Sequence, residues 1–296
     1  MSLLSTLSFI VNHPLNSERR LASIKRFVTW QIGSRLVPGA VAVPFVNETR
    51  LLTRPGMTGA TGNLYCGLHE FEDMAFVLHF LREEDLFVDV GANIGSYTVL
   101  AAGAVGARTI SIEPIEATFS SLLDNVRING LDDRVRAMNL GVGAESGTLR
   151  FTQASDTTNH VVSSIDSDGD TIDVRIESLD SVLAGESPRL IKVDVEGFET
   201  EVIGGAEQTF SNPALIAVLM ELNGSGNRYG FDEDKLHQMV LEYGFESYSY
   251  VPLERRLVSL NGKKNLSGNT LYIRDIGVAA KRLEGAFRYS VLGMTI

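Results

Sequence analysis

The chain has 296 residues, enough for two ordinary domains or one large α/β domain with extensions, and at 44% hydrophobic and 21% charged it is too apolar to be disordered. A formal net charge of −11 disfavours a protein whose main task is to wrap nucleic acid. The single cysteine, Cys66, excludes an internal disulfide framework and a four-cysteine zinc site, and no apolar run approaches the roughly 18 residues that span a bilayer.

Residues 2–11 are apolar, but no charge precedes them and no small-x-small cleavage pattern follows, so a cytoplasmic protein without stable membrane insertion is expected. Ser17 reads as the N-cap of a helix with Leu21, Ile24, Phe27, Val28, Ile32 and Leu36 on one buried face, Trp30 beside it and Pro38-Gly39 as its stop. This apolar helix could pair two subunits, which leaves the oligomeric state open. Residues 1–60 carry seven basic side chains (Arg19, Arg20, Lys25, Arg26, Arg35, Arg50, Arg54) against Glu18 and Glu48, a net of +5 beside −16 on the remainder. A basic leader on an acidic body suits a membrane surface, an anionic substrate, an acidic partner or simply a solvated helix face. Residues 41–46 read as a strand, and 53–63, rich in Gly, Thr and Pro, as a loop or hairpin.

From residue 68 the pattern alternates. Helices are expected at 69–81, 96–103, 117–129, 200–210 and 232–243. Strands are expected at 87–90, 109–112, 135–140, 190–193, 216–222, 245–250 and 270–274. Such alternation implies a mostly parallel sheet covered on both faces. Residues 144–189 interrupt it and read as an inserted β-ribbon. The expected organisation is an N-terminal helix-and-strand extension over 1–64, a main domain over 65–275 and a tail over 276–296.

The strongest motif is Phe87-Val88-Asp89-Val90-Gly91-Ala92-Asn93-Ile94-Gly95-Ser96, a buried strand that runs through a Gly-x-x-x-Gly turn into a helix. Glycines let the turn tighten and approach a ligand, and the helix start presents free N–H groups. The turn is neither the Gly-x-Gly-x-x-Gly dinucleotide fingerprint nor a P-loop. The next strand ends at Glu113-Pro114, where an acidic side chain accepts hydrogen bonds from a ribose diol. Asp89 sits at the end of the first strand, placed to orient the turn or meet a cationic amino group.

A third motif, Leu190-Ile191-Lys192-Val193-Asp194-Val195-Glu196-Gly197-Phe198-Glu199, is a buried strand ending in carboxylates. Ligands of open α/β sheets lie outside the carboxyl ends of the strands, so Asp194 and Glu196 face the crevice of Gly91 and Glu113. There they can deprotonate an acceptor, bind a cationic group or hold a divalent metal. Either can equally be structural, pairing with Lys192 or capping the next helix. Asp166, Asp168, Asp170 and Glu177 mimic an EF-hand, but Thr171 stands where that loop needs glycine, and a solvated acidic turn is expected. His69, His79 and His237 read as structural or exposed. His160, in the 156–164 stretch, and Arg228-Tyr229, in a glycine-rich loop, are candidates for an acceptor site.

Val-Asp-Val-Gly-Ala-Asn-Ile-Gly-Ser-Tyr-Thr (88–98), Glu-Pro (113–114), Asn-Val-Arg-Ile-Asn-Gly-Leu (125–131) and Ile-Lys-Val-Asp-Val-Glu-Gly-Phe-Glu (191–199) together resemble the FkbM-type S-adenosylmethionine-dependent methyltransferases. Gly141-Val142-Gly143 and Met220-Glu221-Leu222 extend the likeness, which covers roughly residues 65–275. The resemblance implies a class I methyltransferase fold, a Rossmann-like three-layer sandwich with a seven-stranded, mostly parallel sheet whose last strand is antiparallel. It also implies transfer to oxygen, a hydroxyl or carboxylate of a small molecule, sugar or secondary metabolite.

With S-adenosylmethionine as cofactor, the expected binding residues are Asp89, Gly91, Ala92, Asn93, Gly95, Ser96, Glu113, Pro114, Gly141, Asp194 and Glu196, with residues 139–142 near the adenine. Asp194 is the leading candidate base, with His160 and Glu221 as further catalytic candidates. Some relatives of the fold use Mg²⁺, for which Asp194, Glu196 and Glu221 would be the ligands. A Rossmann-type nucleotide-binding oxidoreductase and a degenerate, non-catalytic binding module are the alternatives. The missing fingerprint counts against the first, and the retained turn and Glu113 against the second.

Overall fold

The fold is known from a computed structural model, which describes residues 3–37, 39–153, 159–163, 170–266 and 268–296. The first layer comprises α1 (Leu3–Asn12), α2 (Arg20–Leu36), the hairpin β1 (Val41–Pro44) and β2 (Arg50–Thr53), and α3 (Thr58–Cys66). Ser17 does not cap α2. Its Oγ donates to the Pro14 carbonyl in a preceding 3-10 turn, and the helix begins three residues later. Residues 53–63 are not a simple loop, because α3 forms there despite Gly59 and Gly62. Its buried side, Ala60, Tyr65 and Cys66, packs under α2 and outweighs the weak local propensity.

The central layers follow as α4 (Phe71–Phe80), β3 (Leu86–Val90), α5 (Ser96–Thr98, running on as a π-helical stretch to Val105), β4 (Arg108–Ile112), α6 (Glu116–Ile128) and β5 (Val135–Met138). The insert contributes β6 (Gly141–Val142), β7 (Gly147–Thr152) and β8 (Thr171–Glu177). Next come α7 (Leu179–Leu183), β9 (Leu190–Val193), α8 (Glu199–Gly204), α9 (Glu207–Ser211), β10 (Ala217–Glu221) and α10 (Glu233–Glu242). The chain closes with β11 (Glu246–Val251), β12 (Arg256–Ser259), β13 (Asn269–Ile273), α11 (Ile276–Glu284), β14 (Ser290–Val291) and β15 (Met294–Thr295).

The main sheet runs β12-β11-β13-β10-β9-β3-β4-β5, with β10 to β5 parallel and β13 antiparallel to both neighbours. This is the expected seven-stranded topology with one more strand. β12 pairs antiparallel with β11 at the edge, and its four residues are too short and too polar at their ends for periodicity to reveal. The single expected helix over 200–210 is two, α8 and α9. They part at Gly205, where a Cβ would stand 2.2 Å from the Gly143 carbonyl oxygen.

Strand alternation assigns two cores. Phe87, Leu190, Ala217, Leu219 and Leu271 face one side, packed by α4, α6 and α11, while Val88, Ile191, Val193, Val218, Met220 and Tyr272 face the other, packed by α7 to α10. The N-terminal extension is not a free-standing unit. Val43, Phe45, Val46 and Leu51 join the first core, and Asn125 Oδ1 accepts from the Leu52 N–H. The tail joins it too, through Ala279, Leu283, Tyr289, Val291 and Ile296. Among the described residues no helix is long and apolar enough to cross a membrane.

Candidate active site

A cleft of about 250 Å³ opens at the carboxyl ends of β3, β4, β9 and β10. One wall is the turn after β3. Gly91 and Gly95 hold φ of +78° and +86°, and Asn93 takes a left-handed φ of +51°. The Gly91 and Ala92 N–H groups both donate to the Ile112 carbonyl, at 3.0 and 2.9 Å, which draws the turn across the end of β4. The Asn93 N–H donates to Glu113 Oε2 at 2.9 Å, and Ile115 N–H to Glu113 Oε1 at 3.0 Å. Glu113 therefore ties the turn to the next strand while lining the cleft. Burial pushes its carboxyl up to about 7 against these two N–H groups, which favour the charged form.

The opposite wall carries three carboxylates. Asp194, Glu196 and Glu221 each present an oxygen within 4.8 Å of the others. Burial, and then the charges of Asp194 and Glu196, raise Glu221 to about 8. Burial and the Asp194 charge raise Glu196 as well. Lys192 Nζ donates to Asp194 Oδ2 at 2.7 Å and sits 4.8 Å from the centre of the Tyr97 ring. Burial alone would lower this ammonium, but Asp194, Asp89 and Glu70 more than offset it and hold it above its ordinary value. The loop that follows is stapled by Glu199, whose Oε1 accepts from the Val195 and Gly197 N–H groups at 3.1 and 3.2 Å. It is packed so closely on the next loop that a Cβ on Gly197 would meet the Ser225 carbonyl carbon at 2.6 Å.

The structure brings Gly91, Ala92, Asn93, Ser96, Glu113, Pro114, Gly141, Asp194, Glu196 and Glu221 to this one cleft. Gly95 shapes the turn from behind, against Leu122. Asp89 does not line the cleft. It lies beneath the turn, in register with Lys192, and its Oδ2 accepts from Thr98 Oγ1 at 2.9 Å while Oδ1 has no hydrogen-bond partner among the described residues. Burial raises its carboxyl to about 6. Asn139 works from outside, its Nδ2 donating to the Glu113 and Pro114 carbonyls. His160 is also off the cleft wall, although its charge reaches Glu196.

The insert covers one mouth of the cleft. Phe151, Val161, Val174 and Ile176 pack on Ile115, Phe198 and Tyr229, and Phe151 and Asn159 line the cavity. Tyr229 OH donates to the Val161 carbonyl at 2.7 Å, so the glycine-rich loop braces the insert. Asp166 and Asp168 of the acidic turn lie outside the described residues. His79 and His237 are structural, bonded to Tyr250 OH at 2.6 Å and Tyr272 OH at 2.8 Å. His69, expected to be structural or exposed, lines the cleft.

Sequence reasoning missed the N-terminal contribution. Gly59 and Asn63 of α3, with His69, Glu70 and Met74, complete the wall. Asn63 Nδ2 donates to Ser96 Oγ at 3.2 Å, and Tyr97 OH donates to Glu70 Oε2 at 2.8 Å. No periodic signal marks these residues, because their role depends on α3 closing against the turn.

The family model described as the methyltransferase FkbM domain matches residues 89–247, more than half of the chain and the whole span from the glycine turn to the end of β10. The chain belongs to the FkbM methyltransferase family. This family member is 26% identical over 220 residues to Methyltransferase 1 of Beauveria bassiana, a match that covers 66% of this chain and 87% of that protein. It is 28% identical over 153 residues to the hexuronic acid methyltransferase AglP of Haloferax volcanii, over 50% of this chain and 61% of that protein. Among solved structures, a SAM-dependent methyltransferase from Agrobacterium tumefaciens superposes with a TM-score of 0.45 at 10% identity, covering 81% of this chain and 71% of that one.

Proposed function

We propose that this methyltransferase moves the methyl group of S-adenosylmethionine to a hydroxyl oxygen of a saccharide-like or other small metabolite. The observation that carries the reading is the cleft itself, with buried Glu113 and the Gly91–Gly95 turn on one wall and Asp194, Glu196 and Glu221 on the other.

The residues fit the cofactor. Gly91 lets the turn close onto the Asp194 carbonyl, where a Cβ would not fit, and Glu113 keeps acceptor capacity for a ribose diol beyond its two N–H partners. Phe151, Val142 and Ile115 offer an apolar slot beside it for a purine. Glu70, Asp194, Glu196 and Glu221 are cleft-facing carboxylates available to an ammonium group, while Asp89 braces the turn through Thr98. The cofactor supplies an activated methyl on a sulfonium, so the protein's main contribution is alignment of the acceptor oxygen.

A hydroxyl acceptor must also lose a proton. Asp194 is the candidate base, oriented by Lys192 and beside Glu221, whose raised value suits proton exchange near neutral pH. The relative that acts on a hexuronic acid has both hydroxyls and a carboxylate in its substrate. A wall of three carboxylates repels an anionic acceptor group, which favours the hydroxyl over the carboxylate.

A second reading uses the same three carboxylates as ligands for Mg²⁺. Three oxygens within 4.8 Å suit a hard cation, which would lower the pKa of an acceptor hydroxyl.

Calorimetry with S-adenosylhomocysteine against NAD, followed by an acceptor screen with methyl-labelled cofactor, tests the proposal. Binding of S-adenosylhomocysteine and a base-stable methyl ether support it. A base-labile methyl ester moves the acceptor to carboxylate, and binding of NAD alone returns the oxidoreductase. Loss of transfer on chelation, restored by Mg²⁺, establishes the second reading.

A further inference from the structure

The helix α2 buries the opposite face from the one its spacing predicts. Ser23, Phe27 and Trp30 pack inward with Ile10, Tyr65 and Cys66. Leu21, Val28, Ile32 and Leu36 point to solvent, at 85%, 46%, 57% and 75% exposure. At 100° per residue these four fall within one stripe along a helix roughly 25 Å long. Lys25 and Arg35 lie in the same stripe, both exposed. Among the described residues no acidic side chain forms an ion pair with Arg20, Lys25 or Arg35.

An aliphatic stripe flanked by unpaired cations has a specific complement. A second copy of this chain would set the same cations against themselves across a two-fold contact. An anionic lipid surface instead accepts both parts, because aliphatic side chains enter the acyl boundary while Lys and Arg reach the headgroup phosphates. The charge asymmetry orients the approach, since residues 1–60 carry +5 and the remaining chain −16. Such a surface attracts the helical layer and repels the body. The layer also adjoins the cleft, for α3 packs under α2 through Phe27 and Tyr65, ring centres 5.2 Å apart, and presents Gly59 and Asn63 to the cavity.

We propose that the exposed face of α2 docks the protein peripherally on an anionic lipid bilayer, with Leu21, Val28, Ile32 and Leu36 in the interfacial region and Lys25 and Arg35 on lipid phosphates. This inference is independent of which atom receives the methyl group.

Flotation of the full chain with protein-free vesicles tests it. Phosphatidylcholine vesicles doped with phosphatidylglycerol should capture on the order of tenfold more protein than phosphatidylcholine alone, and added salt should reduce the capture. The double variants Ile32→Glu/Leu36→Glu and Lys25→Glu/Arg35→Glu should each lose capture while keeping the parent's melting temperature, since all four side chains are exposed. Equal capture by both vesicle types, or capture retained by either variant, overturns the proposal. So does a concentration-dependent dimer that Ile32→Glu/Leu36→Glu abolishes in the absence of vesicle binding, which gives the face to a second copy.

Discussion

A Cβ placed on Gly91 would stand 1.8 Å from the carbonyl oxygen of Asp194. The turn that lines the cleft and the strand end that carries the candidate base are therefore in backbone contact, made possible by the absence of one carbon atom. Gly91 also holds φ at +78°, a conformation that L side chains rarely adopt. Gly91→Ala is expected to cost about 2–5 kcal/mol of stability, from combined backbone strain and overpacking. Urea denaturation measures that loss. Calorimetry should show S-adenosylhomocysteine affinity falling with it, since the turn and the Asp194 strand end must separate together.

Glu113 has two tasks, and one substitution separates them. Glu113→Ala removes the proposed ribose acceptor and is expected to weaken cofactor binding by about 1.5–3 kcal/mol, the range for hydrogen bonds to a charged group. It also strips the Asn93 and Ile115 N–H groups of their partner, so the cofactor-free protein should lose about 1–3 kcal/mol of stability. Unchanged stability with lost affinity would mean the turn holds itself without Glu113.

Asp194→Asn keeps shape but removes the proposed base. Turnover is expected to fall by about 10²–10⁴-fold, the usual contribution of general base catalysis, with cofactor affinity little changed. Equal loss of both in steady-state kinetics and calorimetry would assign Asp194 to binding.

Glu221, raised to about 8, gives the reaction a pH signature. Turnover should climb as pH rises through about 8, when Glu221 gives up its proton and adds its charge beside Asp194. Glu221→Gln should flatten that limb of the kcat profile. A profile unchanged by the substitution would remove Glu221 as the titrating group.

Stability should run in the other direction. Burial raises the Glu113 and Glu199 carboxyls from 4.5 to about 7, and Asp73 from 3.8 to about 7. The folded state thus binds more protons than the unfolded chain across this interval, and stability falls as pH rises from about 4.5 to about 7. The cofactor-free protein should melt higher near the lower limit than above the upper one. Glu199→Gln should shrink the difference, as measured by calorimetric melting at each pH.

The alternating pattern from residue 68 onward, the glycine turn, Glu113 and the strand end at Asp194 were legible in the sequence because each is local. A buried parallel strand is a short apolar run, and a ligand turn declares itself by glycines just after it. The parallel order of the strands, and the gathering of Gly91, Glu113, Asp194 and Glu221 at one edge, follow from right-handed connections. Periodicity, however, does not say which apolar face of a helix is covered. α2 carries two such faces, and only its contact with Tyr65 and Cys66 selects Phe27 and Trp30 over Leu21 and Ile32.

The sequence by itself determined the fold class and the chemical groups available, since both rest on short-range pattern and residue type. Tertiary structure alone decided how those groups are used. It placed Asp89 under the turn beside Lys192, turned Glu70 and Asn63 into cleft walls, and crowded three carboxylates until one holds its proton near pH 8. The physical reason is that burial and charge proximity depend on residues far apart in the chain, and neither exists until the layers close.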